Sequence, residues 1–457
     1  MSGQILNTLA EELAALCAGP VSDADRSRAA LHVLDWAGCA VAGSNSEQAR
    51  HFRAAVRDDF RGRCTAIGAQ PAGALGAVMI NGALGNVLEM DDVDKRAVLH
   101  PGPVVIPAAL AACESAGGDA SAFLDAIVRG YEAVIRVGRA VGAGHYALWH
   151  NTGTCGPFGA AMAAASALEL PAERAAHALA LAGTQASGFW QTRHEPASMA
   201  KQLHTARAAH AGLLGARLAA EGFEGPLSIL EGPQGFFAAT CPGAEPKDVL
   251  GQYGSGWRIH EVSFKPWPAC RHAHAAINAA LAIRHQIDPE NVSGIRIETY
   301  RDALKFCDKP KPQTVLEAKF SLQHSVAITL LRGAPQLTDF EHDAFADLQV
   351  RALAAKIDVT PAEPFASAYP ARYGARLIAT TRDGAEHVSE MPDSLGDPEN
   401  PVSQDGLRQK ALALCAAGGV SPSMAAHLCD AALGLADGTP LTSFTAMLPA
   451  PGIRGVV

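Results

Sequence analysis

The chain has 457 residues, of which 48 % are hydrophobic and 18 % charged, with a formal net charge of −9. That length exceeds one typical core and predicts roughly two to three domains. No long Lys/Arg run supplies the basic face of a nucleic-acid binder, and no stretch of about 18 uninterrupted apolar residues supplies a spanning helix.

The charged fraction is below the ~25 % usual for soluble proteins, which points to surface buried against another subunit. Ten cysteines are scattered with no Cys-x-x-Cys pair. They carry neither a zinc or iron–sulfur signature nor a disulfide framework, and reduced thiols in a cytoplasm are the simplest account. The stretch Met1–Pro20 has Glu11 and Glu12 among its apolar residues and no basic start. It reads as an amphipathic helix and not as a signal peptide.

From there to about residue 250, Ala, Leu and Gly recur at helical spacing. Ser22 followed by Asp23 and Asp25 reads as an N-cap with acids in the first turn, opening a helix over 26–41. Further helices are expected near 73–89, 104–116, 119–141, 155–168, 173–186 and 199–221. Their faces carry Ala and Gly where Leu is usual, so close helix packing is expected. Near residue 257 the pattern changes. Trp257–Phe264 and Val292–Thr299 alternate polar and apolar residues, and 376–388 holds two β-prone runs around Asp383-Gly384, a hairpin signal. Helical stretches lie between them, near 270–285 and 318–332. After Asp397-Pro-Glu-Asn-Pro401, two more Ala/Leu helices follow, near 403–417 and 422–436. The expected fold is mainly α, with a helical domain from both ends (1–264 and 396–457) and a smaller inserted α+β domain (265–395).

Four constellations carry polar chemistry. The first is Leu88-Glu89-Met90-Asp91-Asp92-Val93-Asp94 with His100-Pro101-Gly102. Four carboxylates in six residues repel one another, so the cluster needs an explanation: a solvated loop with His100 capping the next helix, or a metal site. It lacks the Gly turn and terminal Glu of a calcium loop. The second is His145 to Thr154, in which His150 stands just before a small-residue helix, where free backbone N–H groups can face an anion. The third is Lys201-Gln-Leu-His204, opening a long Ala-rich helix. A lysine there is a surface side chain, a base with a lowered pKa or a cation for a carboxylate. The fourth places Lys265, Cys270, Arg271, His272 and His274 within ten residues, after Pro266 and Pro268 have forced an extended approach. Lys and Arg there suit recognition of carboxylates.

Taken together, these blocks resemble the MmgE/PrpD family, which includes 2-methylcitrate dehydratase, cis-aconitate decarboxylase and iminodisuccinate epimerase. The matching blocks are Asn81-Gly-Ala-Leu, Leu88 to Val93, His100-Pro-Gly, His150-Asn-Thr and Lys201-Gln-Leu-His204. They continue with Gly222-Phe-Glu-Gly-Pro, Leu230-Glu-Gly, Lys265 to Arg271 with His274, and Phe320-Ser-Leu-Gln-His324, in family order over nearly the whole chain. The resemblance implies a homodimer whose subunits pair a large all-helical domain with a smaller α+β lid, a site in the cleft between them, and no metal or organic cofactor. Carried over residue by residue, the family's Asp-aromatic-Asp-Asp-Thr block falls on Glu89-Met90-Asp91-Asp92-Val93. Its His, His and Lys fall on His100, His150 and Lys201, and the Lys opening the lid block falls on Lys265.

Three departures stand out. Glu89 replaces the usual Asp, Val93 stands where Thr is common, and Cys270 and His324 occupy positions where cis-aconitate decarboxylase has His and Tyr. The last departure points away from itaconate production. The family's shared step is proton transfer at carbon next to a carboxylate, which needs a placed base and cations for the enediolate-like transition state. The implied roles give the base to His150 or Lys201, oriented by Glu89 or Asp92, and the acid to His100. Lys265, Arg271 and His272 would hold substrate carboxylates, with Cys270, His274 and His324 completing the binding set. The expectation is therefore a cofactor-independent, cytoplasmic dehydratase of a small di- or tricarboxylate. Epimerisation, decarboxylation and a non-catalytic carboxylate-binding paralogue are the alternatives. No nucleic-acid or membrane partner is expected.

Overall fold

The structure is a computed structural model and describes residues 7–195, 197–252 and 254–448. It divides into two compact units, Met1–Val262 with Ser403–Val457, and Ser263–Val402. The chain is mainly helical, with one small mixed sheet. Among the described residues no helix is long and apolar enough to cross a membrane.

In the first unit the N-terminal segment forms a helix, Leu9–Cys17, capped by Thr8 and Glu11; Met1–Leu6 lie outside the described residues. Ser22 accepts the Asp25 N–H while Asp25 accepts the Ser22 N–H, a capping box that starts helix Asp23–Gly43. The organising element is helix Asn151–Ala167, which packs against helices Gly102–Ala116, Ala120–Ala140, Ala172–Gly183 and Ala200–Ala220. Nearly every one of its residues is buried. The Ala/Gly composition is what permits this crowding. A β-carbon at Gly212 would stand 2.3 Å from that of Ala160, so helices Ala200–Ala220 and Asn151–Ala167 meet almost backbone to backbone. Helix Gln404–Ala417 returns from the C-terminal stretch to pack on Asp23–Gly43.

In the second unit four strands order as β2-β1-β3-β4, where β1 is Val292–Thr299, β2 Ile357–Pro361, β3 Ala375–Thr381 and β4 Glu386–Met391. β1 runs parallel to β2 and antiparallel to β3, and β3 pairs antiparallel with β4. Between β3 and β4, Gly384 takes a φ of +87°, the left-handed turn that the Asp-Gly pair favours. Helix His274–Ile283 lies against β3, β4 and helix Leu322–Arg332. Ile295, Ile297, Leu377 and Ala379 of the sheet share one core with Ile277, Val326 and Ile328 of those helices.

One alternating segment does not become a strand. Trp257–Phe264 instead forms a turn of 3-10 helix at Arg258–Glu261. The buried Arg258 guanidinium donates to the carbonyls of Ser255 and Gly256, and its backbone N–H donates to Glu132 at 2.6 Å. These contacts take up the local polar groups, so no ladder partner is needed.

Candidate active site

The acidic run at 89–94 meets several partners within the first unit. Helix Ala74–Asn86 ends just before it, and Glu89 has a φ of 60°, a left-handed backbone that costs a residue with a β-carbon about 1–2 kcal/mol. Its carboxylate meets the ammonium of Lys201, presented from the first turn of helix Ala200–Ala220. Asp91 accepts from Asn86 Nδ2 at 2.8 Å and from His100 Nδ1 at 2.9 Å. His100 Nδ1 also donates to the Asp92 carbonyl at 3.0 Å, which leaves Nε2 as its other exchangeable nitrogen. Asp94 is bound by Arg139 at 2.5 Å. Each carboxylate thus answers a different donor, which is how four of them share one loop.

Asp92 points into a separate buried hub. Its Oδ2 lies 2.6 Å from both His32 Nδ1 and the Tyr131 hydroxyl, and Oδ1 accepts the Gly102 N–H at 2.9 Å. Burial pushes its carboxyl up to about 6. Asp35 is likewise pushed up by burial to about 6, against the pull of Lys410 at 2.5 Å. Lys410 also donates to the Met90 carbonyl at 2.6 Å, pinning the residue between Glu89 and Asp91.

His150 occupies the N-cap of helix Asn151–Ala167, and its own N–H donates to the Gly188 carbonyl at 2.8 Å. His100 does not cap its helix; its N–H donates to Thr152 Oγ1 at 3.0 Å and Pro101 takes the cap position. The His150 ring is buried and packs on Trp190 with centroids 4.5 Å apart. Burial, then the nearby Lys201, His204 and His100, holds its imidazolium well below the ordinary histidine range. Glu89, Lys201, His150, His100 and Asp91 therefore form one electrostatic cluster, with a neutral imidazole beside a lysine cation. His145 is bound to Thr154 Oγ1 at 2.7 Å and the Thr240 carbonyl at 2.9 Å, a structural placement.

In the second unit the six residues expected to bind substrate are all buried. Lys265 is buried, and Cys270 is buried with its N–H donating to the Lys319 carbonyl at 2.8 Å. Arg271 binds Asp397 at 2.5 Å and Ser394 Oγ at 2.7 Å. His272 bonds the Tyr300 hydroxyl at 2.7 Å and is stacked against Phe306 and Tyr373; burial pushes it down to about 4. His274 Nε2 donates to the Ala269 carbonyl at 3.1 Å and His324 Nε2 to the Asp339 carbonyl at 2.7 Å. Among the described residues, carboxylates of Asp393, Asp397 and Glu399 lie within 4.8 Å of one another. Asp393 and Asp397 already hold Arg372 and Arg271.

Residues 7–248 match the family model of the MmgE/PrpD N-terminal domain, and residues 267–432 match that of the C-terminal domain. The chain belongs to the MmgE/PrpD family. Its similarity to curated proteins spans most of the chain. A cis-aconitate decarboxylase-like protein, oryM of Aspergillus oryzae, is 29 % identical over 424 residues, covering 85 % of this chain and 86 % of the relative. The cis-aconitate decarboxylase of Aspergillus terreus is 26 % identical over 453 residues, 93 % and 91 % of the two chains. That of Homo sapiens is 25 % identical over 350 residues, 73 % and 71 %.

Asp91 of this cluster, and His204, whose Nδ1 lies 3.1 Å from that of His150, were not among the expected site residues. Asp91 stands beside Asp92 in sequence, and nothing local tells which of two adjacent carboxylates faces His100. His204 follows Lys201 by three residues, a spacing that puts both on one helix face; that signal was legible in the motif itself.

Proposed function

We propose that this MmgE/PrpD chain is a cofactor-independent lyase that moves a proton on carbon next to a carboxylate of a small di- or tricarboxylate. The observation that carries the reading is the neutral, buried His150 beside the Lys201–Glu89 ion pair. A neutral imidazole can accept a proton, and an adjacent ammonium can stabilise the charge that develops on the substrate. A bound polycarboxylate brings negative charge towards His150, which raises its basicity when substrate is present. His100, with Asp91 behind its Nδ1, is suited to protonate a departing hydroxyl. Acid and base acting on adjacent carbons eliminate water, which is the first reading. Decarboxylation is the second, favoured by similarity to proteins named cis-aconitate decarboxylase. The family reading also carries a homodimer, which sedimentation of the full chain tests.

The test is solvent exchange in D₂O, followed by proton NMR over a panel of citrate-like and aconitate-like acids. Exchange next to a carboxylate is expected for at least one. His150→Ala and Lys201→Ala are each expected to lower exchange and turnover by at least ~100-fold per folded molecule, with folding intact. Near-normal rates in both variants would sink the assignment, and binding with no exchange would make the chain a carboxylate sensor.

A further inference from the structure

His150 is 2 % exposed, with Trp190 against its ring. A base so enclosed cannot trade protons with bulk water directly, yet each turnover requires it to give up or regain one. One ring nitrogen must face substrate. The other, Nδ1, lies 3.1 Å from Nδ1 of His204. His204 in turn lines an open pocket of about 440 Å³, together with Ser187, Gly188, Gln191, Leu203 and Arg207. Glycines create the room for this pair. A β-carbon at Gly153 would stand 2.6 Å from the Ser187 carbonyl and 3.2 Å from the His204 β-carbon. Gly188, at a φ of +142°, brings its carbonyl to the His150 N–H.

We propose that His204 is the relay partner of His150, carrying protons between the buried base and water in the adjoining pocket. This rests on His150 being the base, as argued above. The substrate C–H bond breaks, its electron pair stays on carbon as the enediolate, and the proton bonds to Nε2 of His150. The Nδ1 proton of His150 crosses to Nδ1 of His204, and the Nε2 proton of His204 leaves to pocket water. Both rings begin and end neutral with their tautomers exchanged. Returning a proton to the substrate or product runs the same hops backwards. Neutrality of the pair fits its surroundings: burial and then Lys201 push His204 down to about 4, so the contact between the two Nδ1 atoms is an N–H···N bond between neutral rings.

The experiment is the same D₂O exchange on the full chain, with His204→Ala and His204→Gln. Either variant is expected to slow exchange by roughly 10- to 100-fold, less than loss of the base itself. Added imidazole, entering through the pocket, is expected to restore much of the rate in His204→Ala and none in His204→Gln, where the site is filled. A merely structural role for His204 predicts no such rescue, so its absence in a His204→Ala chain that melts normally overturns the proposal. Wild-type exchange in both His204 variants, with His150→Ala inactive, also overturns the relay but leaves the base assignment standing. Undiminished exchange in His150→Ala removes the base assignment, and the relay with it.

Discussion

The two units treat their polar side chains in opposite ways. In the first, ionised groups meet one another around a neutral histidine. Glu89 holds Lys201 from a strained backbone, Asp91 holds His100, and His150 touches His204. In the second, three residues of the Lys265–His274 block bond to groups of their own unit: Arg271 to Asp397 and Ser394, His272 to Tyr300, His274 to a backbone carbonyl. As sequence the first set is spread over three short blocks and rich in carboxylates, and the second is one block dense in His, Lys and Arg. In the fold, what separates them is whether the partners are other reactive groups or the scaffold.

That contrast is easiest to break at Arg271. Removing one partner of a buried ion pair leaves the other charge uncompensated, which costs about 3–5 kcal/mol. Arg271→Ala is therefore expected to lower the melting temperature of the full chain sharply, with solvent exchange per folded molecule retained. Native melting combined with weakened binding of a tricarboxylate would instead make Arg271 a substrate ligand, as the sequence pattern suggests.

The next largest effect is expected at Glu89. Glu89→Gln keeps the shape but removes the anion that fixes Lys201, and turnover should fall by roughly 10- to 100-fold, less than for losing the acid or base itself. Steady-state kinetics should show the loss in kcat more than in KM. Unchanged kcat would mean that the ion pair only stabilises the loop, and the first unit would then resemble the second.

The helices were largely legible in the sequence because Ala/Leu periodicity and caps are local signals. Ser22 caps its helix as expected, the helices expected near 104–116 and 403–417 form at Gly102–Ala116 and Gln404–Ala417, and β1 was expected over the same Val292–Thr299. The misses have non-local causes. Trp257–Phe264 alternates like a strand, but Arg258 and Glu132 draw it into a turn. β2, Ile357–Pro361, is short, and its pairing with β1 is a parallel one across a long crossover. In the site, Glu89, His150 and Lys201 were expected from the family resemblance, not from their local spacing. The division of labour between Asp91 and Asp92 depends on His32, Tyr131 and Asn86, which come from three different helices. Lys410, from the far end of the chain, reaches Met90 with no local mark at all.

The state of His272 gives a pH test of the same contrast. Its folded pKa of about 4 lies below the ordinary value of 6.5, so the folded ring stays neutral where the unfolded chain is protonated. Stability is thus lost as pH falls through 6.5, by about 2 kcal/mol between pH 7 and pH 5 from this group. His272→Phe keeps the ring stack and removes that proton. Its thermal stability should decline less between pH 7 and pH 5 than that of the native chain. Equal declines would mean that folded His272 takes up the proton and can meet a carboxylate as a cation.

The smallest expected effect defines the edge of the reactive cluster. Tyr131 donates to Asp92 at 2.6 Å from a fully buried position, and losing one such hydrogen bond costs about 1 kcal/mol. Asp92 keeps His32 and the Gly102 N–H after Tyr131→Phe, so the loop carrying Glu89 and Asp91 should stay in place. Melting should fall slightly and the exchange rate should remain at its native level across the pH range. If Asp92 instead orients the base, as the family pattern suggests, removing its hydroxyl partner changes its basicity, and the pH–rate profile shifts even where the melting point hardly moves. A shifted profile would extend the reactive cluster to Asp92; an unshifted one confines it to Asp91 and Glu89, with Asp92 acting as the anchor that sets their loop.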